Sequence, residues 1–193
     1  MKNKTGIIIV SIFGSILLLA LMIGGFVVGQ TNAINTSYQN VEKARSQVTN
    51  ASQRRFDLIP NVTAAVKGNM KHESKVFIEV AKARSNVMNA KTEKEKQQAN
   101  SQLDRSTNLL IDAVHENYPN LQSNSQVNDL ITELEGCENR ISVERRNYNQ
   151  AVESYNLKLT NFPSSLFAGG RRPASYFETS DNVKSAPKVN LDE

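Results

Sequence analysis

The sequence predicts an all-α membrane protein: an N-terminal transmembrane helix leading into an elongated, antiparallel up-down-up-down helical bundle, with a disordered C-terminal tail. Three observations predict it. The run 7–28, IIIVSIFGSILLLALMIGGFVV, carries no charge. The residues after it are rich in Ala, Glu, Lys, Arg, Gln and Asn, contain no tryptophan, and repeat their apolar positions at helical spacing. Beyond Phe162 the composition turns to proline, glycine, serine and balanced charge.

Residues 1–6 form a short basic N-terminus. The apolar run after them covers roughly 33 Å as a helix, enough to cross a hydrocarbon core. The competing reading is a cleaved secretory signal, with Lys2 and Lys4 as its basic region and Thr31-Asn32-Ala33 as a small-residue site. The length of the run opposes it, since signal cores are shorter. Lys2 and Lys4 precede the span, and the next cations are Lys43 and Arg45. That asymmetry predicts a cytoplasmic N-terminus and an extracytoplasmic bundle. Within the span, Gly25 and Gly29 make a GxxxG pattern that Ala20 and Gly24 extend, a face that lets two helix backbones approach in lipid. The competing reading is the ordinary abundance of glycine in membrane helices.

The bundle is expected over 29–162. A first helix, about 31–55, carries Ile34, Tyr38, Val41, Val48 and Ala51 and continues the span without a proline or glycine cluster. At Arg54-Arg55-Phe56-Asp57-Leu58-Ile59-Pro60-Asn61 the pattern breaks. Proline suits a helix's first turn and Asp57 is a natural N-cap, so a second helix is expected over 58–90 with Val62, Val66, Met70, Phe77, Val80 and Val87 on one face. Thr92-Glu93-Lys94-Glu95 is a capping box and opens a third helix, 93–117, which Tyr118-Pro119 ends. The fourth, 125–162, has a heptad-like seam: Val127, Leu130, Leu134, Cys137, Ile141, Tyr148, Val152, Tyr155, Leu159 and Phe162. The step between Ile141 and Tyr148 is missing where Glu144-Arg145-Arg146 falls. One of Glu144 and Arg145 is therefore expected to find a partner at the seam, unless Arg145 snorkels outward. Residues 163–193 are expected to be disordered, Leu166-Phe167 and Tyr176-Phe177 being the exceptions able to dock.

Catalytic machinery is not visible. His72-Glu73 and His115-Glu116 contain the only histidines and fit no metal-ligand spacing, so neither metal nor cofactor is expected. The lone Cys137 lies on an apolar seam and reads as a small core residue rather than a nucleophile. P-loop, GxGxxG and GxSxG patterns are missing from the sequence. The net charge of +4 includes Lys2 and Lys4, and the tail is balanced. This leaves the helical region close to neutral and argues against nucleic acid as a partner.

The block from Arg54 through Pro60-Asn61-Val62, Val66-Lys67-Gly68 and His72-Glu73 resembles the signature of the LemA family of bacterial membrane proteins. A second block agrees: Tyr118-Pro119-Asn120-Leu121, then Leu134, Glu138, Ile141, Arg145, Tyr148-Asn149, Tyr155-Asn156 and Phe162-Pro163. The resemblance implies a single-pass membrane protein with an elongated helical bundle and supplies no reaction. The expectation is a non-catalytic scaffold of the cell envelope, partnered by the bilayer, by further copies of itself and by other membrane proteins. The alternative is a sensor that reads a polymer or anion at a membrane-distal tip carrying Arg54, Arg55, Asp57, Pro60, Asn61, Tyr118, Pro119 and Asn120. An enzymatic reading through Glu73 and Glu138 is weaker, because both carboxylates are more simply partners of buried arginines.

Overall fold

The computed structural model describes residues 2–68, 70, 73–122 and 124–177, with the side chains of 2–5, 7 and 122 outside that description. Its elements are α1 (Lys2–Lys67), α2 (Ser74–Asn89), α3 (Glu93–Asn117), the short α4 (Pro119–Gln122), α5 (Ser125–Thr160) and a 3-10 turn (Ser164–Phe167). The fold is all-α. The start of α1 is long and apolar enough to cross a membrane. Its side chains from Ile8 through Phe26 stand exposed in the isolated chain, as expected of a surface whose solvent is lipid.

The expected break at Asp57–Pro60 is absent. Helix α1 runs unbroken through Pro60 and ends at Lys67. Asp57 is therefore a mid-helix surface residue that accepts from Gln53 Nε2 at 2.8 Å, not an N-cap. The physical reason is a stripe that never stops. Val48, Arg55, Leu58, Ile59, Val62 and Val66 are all buried, at the three-and-four spacing of one helix face. Arg55 fills the position at which the apolar pattern lapses. Burying that continuous face outweighs the hydrogen bond and the ring clash that an internal proline costs. Helix α1 ends instead at Lys67, Met70 plugs the core, and the second helix shortens to Ser74–Asn89.

The remaining starts and stops follow local chemistry. Glu95 N donates to Thr92 Oγ1 at 3.2 Å and Thr92 N to Glu95 Oε2 at 3.0 Å, so the capping box opens α3 where expected. Tyr118 caps its end. Helix α5 stops at Thr160, two residues early, and Phe162 leaves the seam to become 81% exposed.

Two compact units result, each containing part of α1 and part of α5: Met1–Ala44 with Asn149–Ser175, and Arg45–Tyr148 with Tyr176–Glu193. The second holds the main core, where Leu58, Ile59, Val62, Val66 and Met70 meet Leu103, Leu110 and Val114 of α3 and Val127, Ile131 and Leu134 of α5. Arg84 of α2 lies 4.3 Å over the Phe56 ring. In the first unit, Tyr38 packs against Tyr155 with ring centroids 5.6 Å apart. Here the chain after α5 is ordered, which corrects the expectation of disorder from Pro163. It makes the 3-10 turn and reverses at Gly169 and Gly170, whose φ of 57° and 73° suit glycine. It then returns as a strap, with Ala174 N donating to Asn156 Oδ1 at 2.8 Å and Asn156 Nδ2 to Ala174 O at 3.0 Å. Arg171 Nη2 donates to Asn35 Oδ1 at 2.8 Å. The rest of the expected disordered tail, 178–193, lies outside the described residues, as does His72.

Candidate functional site: a buried charge cluster

The most chemically distinctive place in the second unit is built around Arg55, whose side chain is fully buried. It reaches it because it occupies a core position on α1. Its Nη1 donates to Asp104 Oδ1 of α3 and, at 3.2 and 3.3 Å, to both carboxylate oxygens of Glu138 on α5. Its Nη2 donates to Asn100 Oδ1 at 3.2 Å. Asn100 and Asp104 stand one turn apart on α3, flanking the buried Leu103, so both face the same guanidinium.

Asp104 is shared. Arg145 of α5 donates to its Oδ2 at 2.6 Å through Nη1 and to its Oδ1 at 3.4 Å through Nη2. Arg145 also lies 5.8 Å over the Phe177 ring, which in turn meets Tyr148 edge-on at 4.8 Å. Two cations and two anions thus cancel, as burial in a low-dielectric interior requires. Glu138 shows the tension. Burial pushes its carboxyl above the ordinary range and Asp104 adds to that, while Arg55 pulls it back.

The missing step of the α5 seam is filled by Glu144, which is buried and accepts from Arg140 Nε at 2.9 Å and Asn147 Nδ2 at 3.1 Å. Both charged candidates at that step therefore have partners. Cys137, Ile141, Tyr148 and Tyr155 are buried seam residues. Burial pushes the Cys137 thiol above its ordinary value, away from the thiolate a nucleophile needs.

The proposed tip residues are not gathered into one surface. Arg55 is buried. Arg54 is exposed and pairs with Glu133 at 2.8 Å. Asp57, Pro60 and Asn61 lie within α1. Tyr118 is half-buried against the core, and Pro119 and Asn120 are exposed at the start of α4. An open cleft of about 470 Å³ lies between α1 and α5, lined by Ala51, Arg54, Glu133, Gly136, Cys137 and Arg140 among others. His115 Nε2 lies 2.6 Å from Glu135 Oε1 on the surface. In the membrane segment, Ala20, Gly24 and Gly25 are exposed and Gly29 is exposed just beyond it. A Cβ placed on any of the three glycines would meet nothing within 4 Å.

Reasoning from sequence missed Asn100 and Asp104. The available signal was their i,i+4 spacing beside Leu103, together with an arginine at a core position of α1.

Part of the chain is similar to two curated proteins of Paramagnetospirillum magneticum, magnetosome protein MamQ 2 and magnetosome protein MamQ 1. Each is 37% identical over 68 residues. The match covers 34% of this chain and 25% of each of those proteins, so the chain spans about a quarter of the length of these relatives. The profile of the LemA family matches residues 44–191, which include the charge cluster and the strap. With its apolar N-terminal helix this is a membrane-associated chain, and it belongs to the LemA family.

Proposed function

We propose that the protein is a non-catalytic, membrane-anchored scaffold of the bacterial cell envelope that associates with itself and with other membrane proteins. Its N-terminus is cytoplasmic and its bundle extracytoplasmic. The observation that carries the reading is α1. One helix runs from the apolar segment through the bundle to Lys67, and the charges it buries are paired internally. A helix of this kind transmits position rather than chemistry. Lys2 and Lys4 support the orientation. The test is chemical crosslinking in native membranes, combined with the mass of the detergent-solubilised protein by light scattering. Multimers that persist on dilution support the scaffold. A strict monomer at every concentration that crosslinks to nothing refutes it.

The cleft between α1 and α5 favours a second reading, an anion-binding module in which Arg54 and Arg140 grip phosphate or carboxylate. Loss of polyanion binding in Arg54→Ala with Arg140→Ala, at unchanged thermal stability, would select it over the scaffold.

A further inference from the structure

The geometry points to a second membrane contact: the turn 162–167 rests on the lipid surface and inserts Phe162 and Leu166 at the boundary of the hydrocarbon. This rests on reading 7–28 as the membrane span.

Three observations within the first unit carry it. Phe167 packs edge-on against Phe26 with ring centroids 6.1 Å apart, and Phe26 lies two residues before the apolar run ends. Tyr155 packs against Tyr38. The two contacts are separated by the same number of residues on α1 and on the returning chain, so the antiparallel register of α5 carries through into the 3-10 turn. In that register Phe162 stands level with Thr31 and Leu166 level with Val27. The strap then climbs away again, since Arg171 reaches Asn35, the Tyr155 hydroxyl donates to Arg172 O and Ala174 pairs with Asn156. The turn is therefore the extremity of this limb at the level where the span ends.

The side chains at that extremity are apolar and uncovered: Phe162 is 81% exposed and Leu166 70% exposed. Neither belongs to the core, and both sit beside a helix whose own exposed apolar surface is explained by lipid. The committed occupant is the bilayer, because the patch continues the lipid-facing surface of α1 through the Phe26–Phe167 contact. An aromatic ring with aliphatic neighbours at the headgroup level is the chemistry of interfacial anchoring. A turn seated in this way fixes the tilt of α1 by a second point of attachment.

The chain has no tryptophan, so a single introduced one reports without background. Leu166→Trp, Phe162→Trp, Phe13→Trp and Asn40→Trp are made in the full chain and reconstituted into vesicles of phosphatidylcholine and phosphatidylglycerol, with and without bromine on the acyl chains near the headgroup. Phe13→Trp, inside the span, verifies insertion, and Asn40→Trp, exposed on α1 beyond it, sets the aqueous baseline. Leu166→Trp and Phe162→Trp are expected to emit to the blue of Asn40→Trp and to be quenched by bromine about two-fold more strongly. With Phe13→Trp quenched, equality of the turn variants with Asn40→Trp overturns the proposal while leaving the span intact. Blue emission that bromine does not quench also overturns it, because it seats a protein partner on the turn. Failure of Phe13→Trp to quench refutes the span, and the proposal with it.

Discussion

Replacing Arg55 by Met keeps most of the aliphatic volume and removes the charge at the centre of the buried cluster. The side chain is fully buried and donates to Asp104, Glu138 and Asn100. Its loss leaves Glu138 without the cation that opposes its desolvation, and leaves Asp104 to Arg145 alone. Breaking a buried pair from one side costs about 3–5 kcal/mol, because an uncompensated charge remains inside. For a chain of this size that lowers Tm by roughly 6–20 °C. Arg54→Ala, the neighbouring arginine at 71% side-chain exposure, is the internal control and should leave Tm nearly unchanged, because water screens its pair with Glu133. Thermal unfolding by far-UV circular dichroism in detergent, with the full chain, measures both. The double variant Arg55→Met with Glu138→Gln should be more stable than Arg55→Met alone, since it also removes the stranded carboxylate; the coupling expected is about 0.5–3 kcal/mol. Arg55→Lys should not rescue, because a point charge cannot span Asp104, Glu138 and Asn100 as the guanidinium fork does. The reasoning is refuted if Arg55→Met and Arg54→Ala lose the same stability, or if Glu138→Gln adds its full cost on top of Arg55→Met.

The remaining predictions use the same readouts. Pro60→Ala restores an internal hydrogen bond of α1 and should stabilise the fold by up to about 3 kcal/mol; a lowered Tm would show instead that the proline ring is a packing element. Glu138 has a raised native pKa, so above its ordinary value of 4.5 the unfolded carboxyl has lost a proton that the native one still holds. Stability from this group is therefore fully present below that value and is lost as pH rises through the raised one. The pH dependence of Tm should show that decline in the natural chain and lose it in Glu138→Gln. Thr92→Ala removes one side of the capping box and should cost about 1 kcal/mol, measured by urea unfolding. Gly25→Leu meets no neighbour within the chain, so any fall in crosslinked multimers reports helix association between copies, and unchanged multimers exclude Gly25 from that contact.

Elements governed by neighbours in sequence were legible, and those governed by distant partners were not. The capping box and the Tyr118-Pro119 stop need only a few adjacent residues, and α3 runs from Glu93 to Asn117 as read. The α5 seam was legible because its apolar residues repeat as far as Leu159 with a single lapse, the step that Glu144 fills. Pro60 was misread because Arg55 was counted as surface; with it in the stripe, the pattern has no gap for a turn. Whether an arginine can occupy a core position depends on Asp104 and Glu138, which lie 49 and 83 residues away. The strap failed for the same reason. Its latch to Asn35 spans 136 residues, and nothing in the composition of 163–177 encodes it. The partner expected for Arg145 was found, but naming Asp104 required the pairing of α3 with α5 that only the fold supplies.

The separation of those partners also imposes an order on synthesis. Arg55 leaves the ribosome 49 residues before Asp104 and 83 before Glu138. At about 5–20 residues per second, Glu138 follows it by roughly 4–17 s. Throughout that interval α1 carries a cation on the same face as its largest aliphatic side chains, and neither can be buried without the other. The nascent helix therefore stays hydrated or chaperoned on that face until α5 emerges. The cluster cannot close before Glu138 and Arg145 have emerged, and a chain truncated after α3 retains Asp104 but has neither with which to complete it.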